Sequence, residues 1–379
     1  MRALVTGQVG MDKKDYLQAV ADFAGAQGES MHVFNIGDMM YKEGRDIRPG
    51  RILDLPWSRL NSLRRAAFKD VMAHARDHDH VIVNTHATFR WRHGLFAAFD
   101  FDQVQQLDPD IFICLVDNIE VVHHNLHRDH DIDATLKDCM VWREEEILAT
   151  EMLAQALHKP FYILSRGRHE PTIRTAFRLL CRPDMRKVYP SFPMSHVVDM
   201  PDVLAEIDTF RAALAEDFIT FDPGDVDEKL LLDRAVEAAR EGNVDQFLDV
   251  TPHSFGGSKA SGEPIRVRVR EVLDIAGDVD GQIYMRDFKL IDQSDMIVSL
   301  VPELPGVGGK DIPGLSSGVE RELQHAFEHT KDVYVVWKPK KAPSPFITET
   351  ATKIFTSTDE ALRHFEEQGL MATKNLFGQ

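Results

Sequence analysis

Short apolar segments alternate with longer amphipathic segments along the first half of the chain, and this alternation restricts the fold more than any other feature. Strands that are apolar on both faces and separated by helices indicate a parallel sheet that helices cover on both sides. The sequence therefore predicts an α/β fold, with strands at residues 2–6, 31–36, 80–84, 111–116 and 160–164.

The segments between these strands place apolar residues at helical spacing, which predicts amphipathic helices. Three of them are clear: Asp12 to about Ala26, Ser58–His78, and about Lys137–Leu157. Each is long enough to connect two parallel strands by a crossover.

The same alternation starts again after a boundary near residues 182–186. Predicted strands and helices then follow at Lys187–Tyr189, Pro201–Glu216, Phe218–Phe221, Asp295–Leu300, Val319–His329 and Val333–Trp337. We therefore expect two three-layer α/β domains, residues 1–182 and 186–379. Residues 223–280 interrupt the second pattern and are interpreted as an insertion with a Gly/Ser-rich loop or lid at 253–262.

The composition narrows the classes of partner. The 379 residues include 44 basic and 61 acidic side chains, which gives a net charge of −17. This excess of negative charge disfavours binding to nucleic acid and to anionic membrane surfaces, so neither is expected as a partner. Small anionic ligands remain possible, because a local nest of backbone N–H groups binds phosphate even on an acidic protein.

Cysteine content and the absence of long apolar runs suggest the compartment. The three cysteines are far apart, which argues against a disulfide framework or a zinc ribbon. No apolar run approaches 18 residues, and the N-terminus lacks a signal-peptide pattern. We expect a cytoplasmic protein without a transmembrane helix.

A glycine loop follows the first predicted strand and precedes the first predicted helix. Gly7, Gly10 and Lys13 fit the spacing of a phosphate-binding loop, in which backbone N–H groups and a helix N-terminus face phosphate. Asp12 replaces the second signature glycine, and Lys14 replaces the hydroxyl residue that would hold Mg²⁺. The alternative is an ordinary strand–loop–helix turn.

Three further segments follow this loop at distances along the chain that are typical of one kinase family. They are Asn35–Met40, His80–Thr88 and Leu107–Ile113. With the loop, they make residues 1 to about 180 resemble the archaeal-type adenylate kinases, which are P-loop nucleoside monophosphate kinases. The resemblance implies a five-stranded parallel core and a site for ATP or another nucleotide at Gly7–Lys14. It also implies a monophosphate site near Gly37, Asp38 and Thr85–Thr88.

The departures from that family fall on the machinery of phosphoryl transfer. Such transfer needs Mg²⁺, held by a P-loop hydroxyl and an acidic residue at a strand end. Here these positions are Lys14 and Asn84, so Mg²⁺ binding is doubtful. Arg128 is the only arginine in the lid-like segment 123–130. These losses favour a nucleotide-binding or regulatory role, and residual kinase activity stays an alternative.

Histidines in the lid-like segment raise a second question. His123 and His127 are four residues apart, a spacing that metal sites use on helices. No third ligand at a fixed spacing completes such a site. A solvated, charged face is therefore the preferred interpretation, and no metal site is predicted.

Two motifs stand in the second half of the chain. Asp287 and Asp295 are separated by seven residues, and Ser316, Gly318 and Glu322 form an S-x-G-x-x-x-E motif. These residues make about 186–340 resemble the nucleoside 2-deoxyribosyltransferase family and its relatives that hydrolyse the N-glycosidic bond of nucleoside 5′-monophosphates. The resemblance implies a Rossmann-type fold and a homo-oligomer.

The chemistry of glycosidic cleavage gives these residues roles. A carboxylate beside the anomeric carbon can attack it or stabilise the oxocarbenium-like transition state. The resemblance assigns that role to Glu322 and the second acid to Asp295. Alternatively, Glu322 is a solvent-facing helix charge and Asp295 a strand-start cap. The candidates for substrate binding are Ser316, Gly318, Asp287, Ser191 and Ser195.

Both halves point to small-molecule nucleotides as ligands. The leading hypothesis is hydrolysis or transfer of the base–sugar bond of a (deoxy)nucleoside 5′-monophosphate, with a kinase-like domain that binds a nucleotide. An active nucleoside monophosphate kinase and a non-catalytic nucleotide sensor are the alternatives.

Overall fold

The computed structural model describes residues 1–48, 50–91, 94–130, 132–166, 170–194, 197–251, 264–306 and 312–371. The Gly/Ser-rich segment 253–262 and the substrate-binding candidate Ser195 lie outside these residues. The chain divides into two compact units. Among the described residues, the first unit contains 1–181, 228–251 and 264–279, and the second contains 182–227, 280–306 and 312–371. Much of the segment interpreted as an insertion thus packs with the first unit.

Both units contain a parallel sheet of five strands, which confirms the predicted α/β class. The strands are β1 (Arg2–Thr6), β2 (Met31–Asn35), β3 (His80–Asn84), β4 (Thr88–Trp91), β5 (Gly94–Ala97), β6 (Ile111–Val116), β7 (Phe161–Ser165), β8 (Lys187–Ser191), β9 (Ile219–Thr220), β10 (Phe247–Val250), β11 (Ile265–Arg268), β12 (Met296–Val301), β13 (Glu303–Leu304), β14 (Ile312–Pro313), β15 (Asp332–Trp337) and β16 (Lys353–Phe355).

Most of the helices lie between these strands along the chain, and the last helix follows the last strand. They are α1 (Lys13–Ala26), α2 (Ile36–Glu43), α3 (Trp57–His74), α4 (Phe101–Leu107), α5 (Ile119–His130), α6 (Leu136–Ala156), α7 (Glu170–Cys181), α8 (Pro201–Asp217), α9 (Lys229–Arg240), α10 (Val269–Asp274), α11 (Ala276–Asp292), α12 (Ser317–Glu328), α13 (Pro345–Thr348) and α14 (Thr358–Glu367).

The sheet of the first unit has the strand order β2-β3-β1-β6-β7. Every residue of β6 is buried, as expected for a central strand covered on both faces. Phe68 and Val71 of α3 lie in one apolar cluster with Leu4, Val83 and Phe112 of the strands. The loop after β1 therefore lies at the centre of the sheet's carboxyl edge.

The sheet of the second unit has the order β16-β15-β12-β8-β9. Phe210 of α8 and Phe365 of α14 lie in one buried apolar cluster with three strand residues, Val188, Val298 and Val336. The crossover from β8 to β9 runs one way along this sheet, and the later crossovers run the other way. The strand order thus switches between β8 and β12, and in α/β sheets ligands bind at the carboxyl ends of the strands at such a point.

Several elements differ from the sequence prediction. Three antiparallel pairs among the described residues, β4–β5, β10–β11 and β13–β14, were not predicted. Strand β8 continues through Pro190 and Ser191, which the sequence assigned to a loop. Proline is tolerated there because β9 pairs only with Lys187 and Val188 and has ended before Pro190 is reached.

Within the described ranges, no helix combines the length and the apolar character that crossing a bilayer requires.

Candidate functional sites

The loop between β1 and α1 is built around two glycines with positive φ angles. Gly7 has φ +141°, and a Cβ atom there would lie 2.9 Å from the main-chain oxygen of Leu115. Gly10 has φ +88°, and its Cβ would lie 3.1 Å from the main-chain oxygen of Val122. Both positions lack room for a side chain, so the loop's tight course depends on glycine.

Lys13 begins α1 and turns its side chain back over this loop. Its buried ammonium donates to the main-chain oxygens of Gly7 and Gln8, the latter at 3.3 Å. Burial lowers the pKa of Lys13 to about 8. The Lys13 ammonium is thus a buried, positively charged hydrogen-bond donor beside the glycine loop.

His86 lies on the other side of the same ammonium. Its Nδ1 atom is 2.8 Å from the main-chain oxygen of Gly7 and 3.1 Å from Nζ of Lys13. Burial, together with the charge of Lys13, lowers the pKa of His86 well below its usual value. The ring is therefore neutral at pH 7 and adds no second positive charge.

Glu146 of α6 joins this loop to the segment that follows β3. One carboxylate oxygen accepts hydrogen bonds from the main-chain nitrogens of Gly7 (3.0 Å) and Ala87 (2.8 Å). The other accepts from the main-chain nitrogen (2.8 Å) and hydroxyl (2.6 Å) of Thr88. The side chain is buried, and these four bonds satisfy its acceptor capacity. Glu146 therefore holds two loops in a fixed relation.

The remaining predicted nucleotide-site residues lie around this loop. Lys14 and Asp38 form an exposed ion pair at 2.6 Å, and this contact raises the pKa of Lys14. Thr85 is buried, and its main-chain nitrogen donates to Val5. Arg128 instead makes a bidentate pair with its neighbour Asp129 at 2.6 and 2.7 Å. The structure thus brings Lys14 and Asp38 together and directs Arg128 to an acidic residue.

The lid-like segment belongs to helix α5, and one face of that helix is buried. Asn125 faces the glycine loop, where its amide donates to the main-chain oxygen of Gly10 at 2.7 Å. The Nε2 atoms of His123 and His127 are 3.2 Å apart. At the end of β3, the amide of Asn84 donates to Asn35 at 2.8 Å, so the position expected to be acidic carries an amide pair.

In the second unit, the carboxylate of Glu322 lies at the carboxyl end of β8. It accepts hydrogen bonds from the hydroxyls of Ser191 at 2.6 Å and Tyr189 at 3.1 Å. Burial raises the pKa of Glu322, and the two hydroxyls oppose that rise. The environment thus holds a desolvated carboxylate in one orientation at the switch point of the sheet.

The two aspartates of the Asp-x(7)-Asp motif lie in different places. Burial raises the pKa of Tyr189 well above its usual value, and the carboxylates of Asp287 and Glu322 add to that rise. The charge of Asp287 thus acts on the Tyr189 hydroxyl. Asp295 instead accepts a 2.8 Å hydrogen bond from the main-chain nitrogen of Lys187, at the amino end of β8.

The strand register shows how far Asp295 is from Glu322. Ser191 pairs with Ser299, four residues after Asp295 on the same chain segment. At about 3.3 Å per residue, this places Asp295 about 13 Å from that end of the strand. The structure brings together Glu322, Ser191 and Tyr189, and it does not bring Asp295 to them.

Ser316 and Gly318 precede and begin helix α12. The hydroxyl of Ser316 caps the helix by accepting from the main-chain nitrogen of Val319 at 3.2 Å. A Cβ atom on Gly318 would meet only this hydroxyl, at 3.6 Å, so its backbone has no steric need for glycine. Both residues lie at the start of the helix, one turn before Glu322.

Sequence reasoning missed Tyr189 and Glu146 as site residues. Tyr189 is two residues before Ser191 on one strand, so the alternation of side chains places both on the same face. That signal was available in the sequence. Glu146 gives no such signal, because it is one of three consecutive glutamates in α6.

Comparisons with known proteins concern the N-terminal region. Residues 6–139 match a family model described as an AAA domain. An adenylate kinase from Pyrococcus furiosus is 24% identical over 178 residues, which are 44% of this chain and 86% of the relative. The N-terminal region thus resembles P-loop kinase-like domains, as predicted. The similarity of 186–340 to deoxyribosyltransferases stays a prediction.

Proposed function

We propose that this chain processes nucleotides, with cleavage or transfer of the N-glycosidic bond of a (deoxy)nucleoside 5′-monophosphate in the second unit. The observation that carries the proposal is the half-buried Glu322 carboxylate, oriented by the hydroxyls of Tyr189 and Ser191. An oriented carboxylate of this kind can attack an anomeric carbon or stabilise an oxocarbenium-like cation. Asp287, whose charge acts on Tyr189, supplies the second carboxyl group, which would handle the proton of the leaving base.

The first unit would bind a nucleotide through its phosphates. The glycine loop and the helix N-terminus after it offer N–H groups, and Lys13 offers a charge. Phosphate would compete with the main-chain oxygens of Gly7 and Gln8 for the Lys13 ammonium. Lys14 replaces the hydroxyl ligand of Mg²⁺ and pairs with Asp38, so this position does not suit the metal.

The test is chromatography for free base, with purified protein and a panel of ribo- and deoxynucleoside 5′-monophosphates. We expect base release that Glu322→Ala abolishes. Reactions with and without ATP would show what the first unit contributes. If Glu322→Ala released base as fast as the unchanged protein, the proposal would be wrong.

A second candidate is a nucleoside monophosphate kinase, which the similarity to an adenylate kinase and the position of Lys13 favour. The same reactions distinguish it. ADP formed from ATP and AMP, and lost in Lys13→Ala but not in Glu322→Ala, would establish the kinase. Nucleotide-induced rises in melting temperature without any product would identify a sensor.

A further inference from the structure

Helices α11 and α12 bring three possible metal ligands together on the surface of the second unit. Asp292 ends α11, His325 lies in α12, and His329 follows that helix directly. One ligand atom from each residue lies within 4.8 Å of the others. We propose that these residues bind one divalent transition-metal ion, with Zn²⁺ as the preferred species.

The two histidines have the spacing that metal sites on helices use. Residues four apart lie on one face of a helix, one turn above the other. The ring centroids of His325 and His329 are 4.0 Å apart. Imidazole nitrogen with a carboxylate oxygen suits zinc, copper or nickel better than magnesium or calcium.

Hydrogen bonds and packing orient both rings. Nδ1 of His329 lies 2.8 Å from the main-chain oxygen of His325, so this nitrogen donates and Nε2 keeps its lone pair. Phe288 stacks on His325 with centroids 4.3 Å apart and an interplanar angle of 7°. Two of the three ligands are thus restricted in rotation before any ion arrives.

The carboxylate of Asp292 completes the set. Nε2 of His325 lies 2.7 Å from Oδ1 of Asp292. For Nε2 to bind the ion, the proton that it shares with Asp292 would shift to Nδ1 of His325, and the ion would take the place of that proton between Nε2 and Oδ1. The ammonium of Lys331 lies nearby, bonded to the main-chain oxygens of Asp292 and Ser294, and Asp292 offsets its charge.

The coordination would be open. Zinc bonds of about 2.0–2.1 Å place tetrahedral ligands about 3.3 Å apart, so small rotations of the exposed His329 side chain close the present geometry. Three protein ligands leave the fourth position to water. The ion would join the end of α11 to α12 and stabilise the folded second unit by mass action.

The test uses the full chain after treatment with EDTA and dialysis. Titration with Zn²⁺ in a calorimeter, and with Co²⁺ followed by visible absorption, should show one tight site per chain. His329→Ala should weaken Zn²⁺ binding by about tenfold or more, because even outer-shell changes cost that much. Zn²⁺ should raise the melting temperature of the unchanged protein but not of His329→Ala.

His74→Ala is the matched control. His74 is an exposed residue that ends helix α3, and its Nδ1 atom lies 2.8 Å from the oxygen of Asp70, four residues before it. Its replacement should leave Zn²⁺ binding unchanged. If His329→Ala does not fold, Asp292→Asn keeps the side-chain shape and tests the same site. Zn²⁺ binding that neither Asp292→Asn nor His329→Ala weakens would assign the ion to other histidines and overturn the proposal, as would no binding.

These readouts are independent of catalysis. Base release by Glu322 can fail while Zn²⁺ still binds, and Zn²⁺ can fail to bind while base is released.

Discussion

The hydroxyl of Ser191 donates a 2.6 Å hydrogen bond to the carboxylate of Glu322, although 131 residues separate the two along the chain. Ser191 ends strand β8, and Glu322 lies in the second turn of helix α12. The bond favours the charged form of a carboxylate whose pKa burial raises. Five testable predictions follow from this contact and from those around the glycine loop.

Ser191→Ala should slow base release and shift its pH dependence. Without the hydroxyl, the pKa of Glu322 rises further, so the acid limb of kcat/KM moves to higher pH. We expect kcat/KM at pH 7 to fall by about tenfold or more, the worth of a hydrogen bond to a charged group. Thr209→Ala removes an exposed hydroxyl in α8 and should change neither kcat/KM nor its pH dependence. An unmoved acid limb in Ser191→Ala would contradict the role of this bond.

Asp287→Asn and Asp295→Asn should differ strongly in their effect on the rate of base release. The charge of Asp287 acts on Tyr189, and under our proposal Asp287 transfers the proton; loss of such a group costs about 100-fold or more in kcat. Asp295 binds the main-chain nitrogen of Lys187 at the other end of the strand, so its replacement should affect stability more than turnover. Steady-state rates and urea unfolding separate the two effects. Equal losses of turnover would show that our assignment of the second acid is mistaken.

Lys13→Met should stabilise the protein while it removes nucleotide binding. The folded-state pKa of about 8 lies below 10.5, so the unfolded chain binds more protons between these pH values. Stability therefore rises with pH from about 8 toward 10.5, and below pH 8 the buried charge is a cost. We expect Lys13→Met to raise the free energy of unfolding at pH 7 by about 1–3 kcal/mol.

Urea unfolding at pH 7 measures this change, and nucleotide-induced shifts of the melting temperature should disappear in Lys13→Met. A less stable Lys13→Met protein would mean that the bonds of the ammonium to Gly7 and Gln8 outweigh its desolvation.

Glu146→Gln should destabilise the first unit by about 2–4 kcal/mol. An amide in place of the carboxylate presents N–H groups to donors that already face it, which leaves buried donors without acceptors. Glu145→Gln is the matched control. Glu145 makes a half-buried, bidentate ion pair with Arg90, and its neutralisation should cost about 1 kcal/mol, less than the change at Glu146. Urea unfolding of both variants is the measurement, and similar losses would refute the special position of Glu146.

Gly7→Ala and Gly25→Ala test the steric argument about the loop. The Cβ of Ala at position 7 would lie 2.9 Å from a main-chain oxygen at a φ of +141°, so we expect a loss of about 2 kcal/mol or more. Gly25 lies in α1 with nothing within 4 Å of its Cβ position, so alanine there should stabilise by about 0.5–1 kcal/mol. Thermal unfolding of both variants measures these changes in stability. Equal stability of the two variants would show that the loop relaxes freely.

Much of the fold was predictable because its signals are local. Apolar runs and helical spacing predicted β1, β3 and β6 and the helices α1, α3 and α6, and α1 begins one residue after its predicted start. The short helices α2 and α4 were not predicted. The hairpin of β4 and β5 was not predicted, because four-residue strands with a short turn carry too little periodicity to be recognised.

Each candidate site also contains some features that the sequence predicts and others that only the structure identifies. The sequence by itself determined the glycine loop with Lys13 and the motif that contains Glu322, since spacing along one segment encodes them. Only the tertiary structure decided that Glu146 holds the loop and that Asp295 lies at the opposite end of β8 from Glu322. Strand register and helix packing set these contacts, and both depend on segments more than a hundred residues apart.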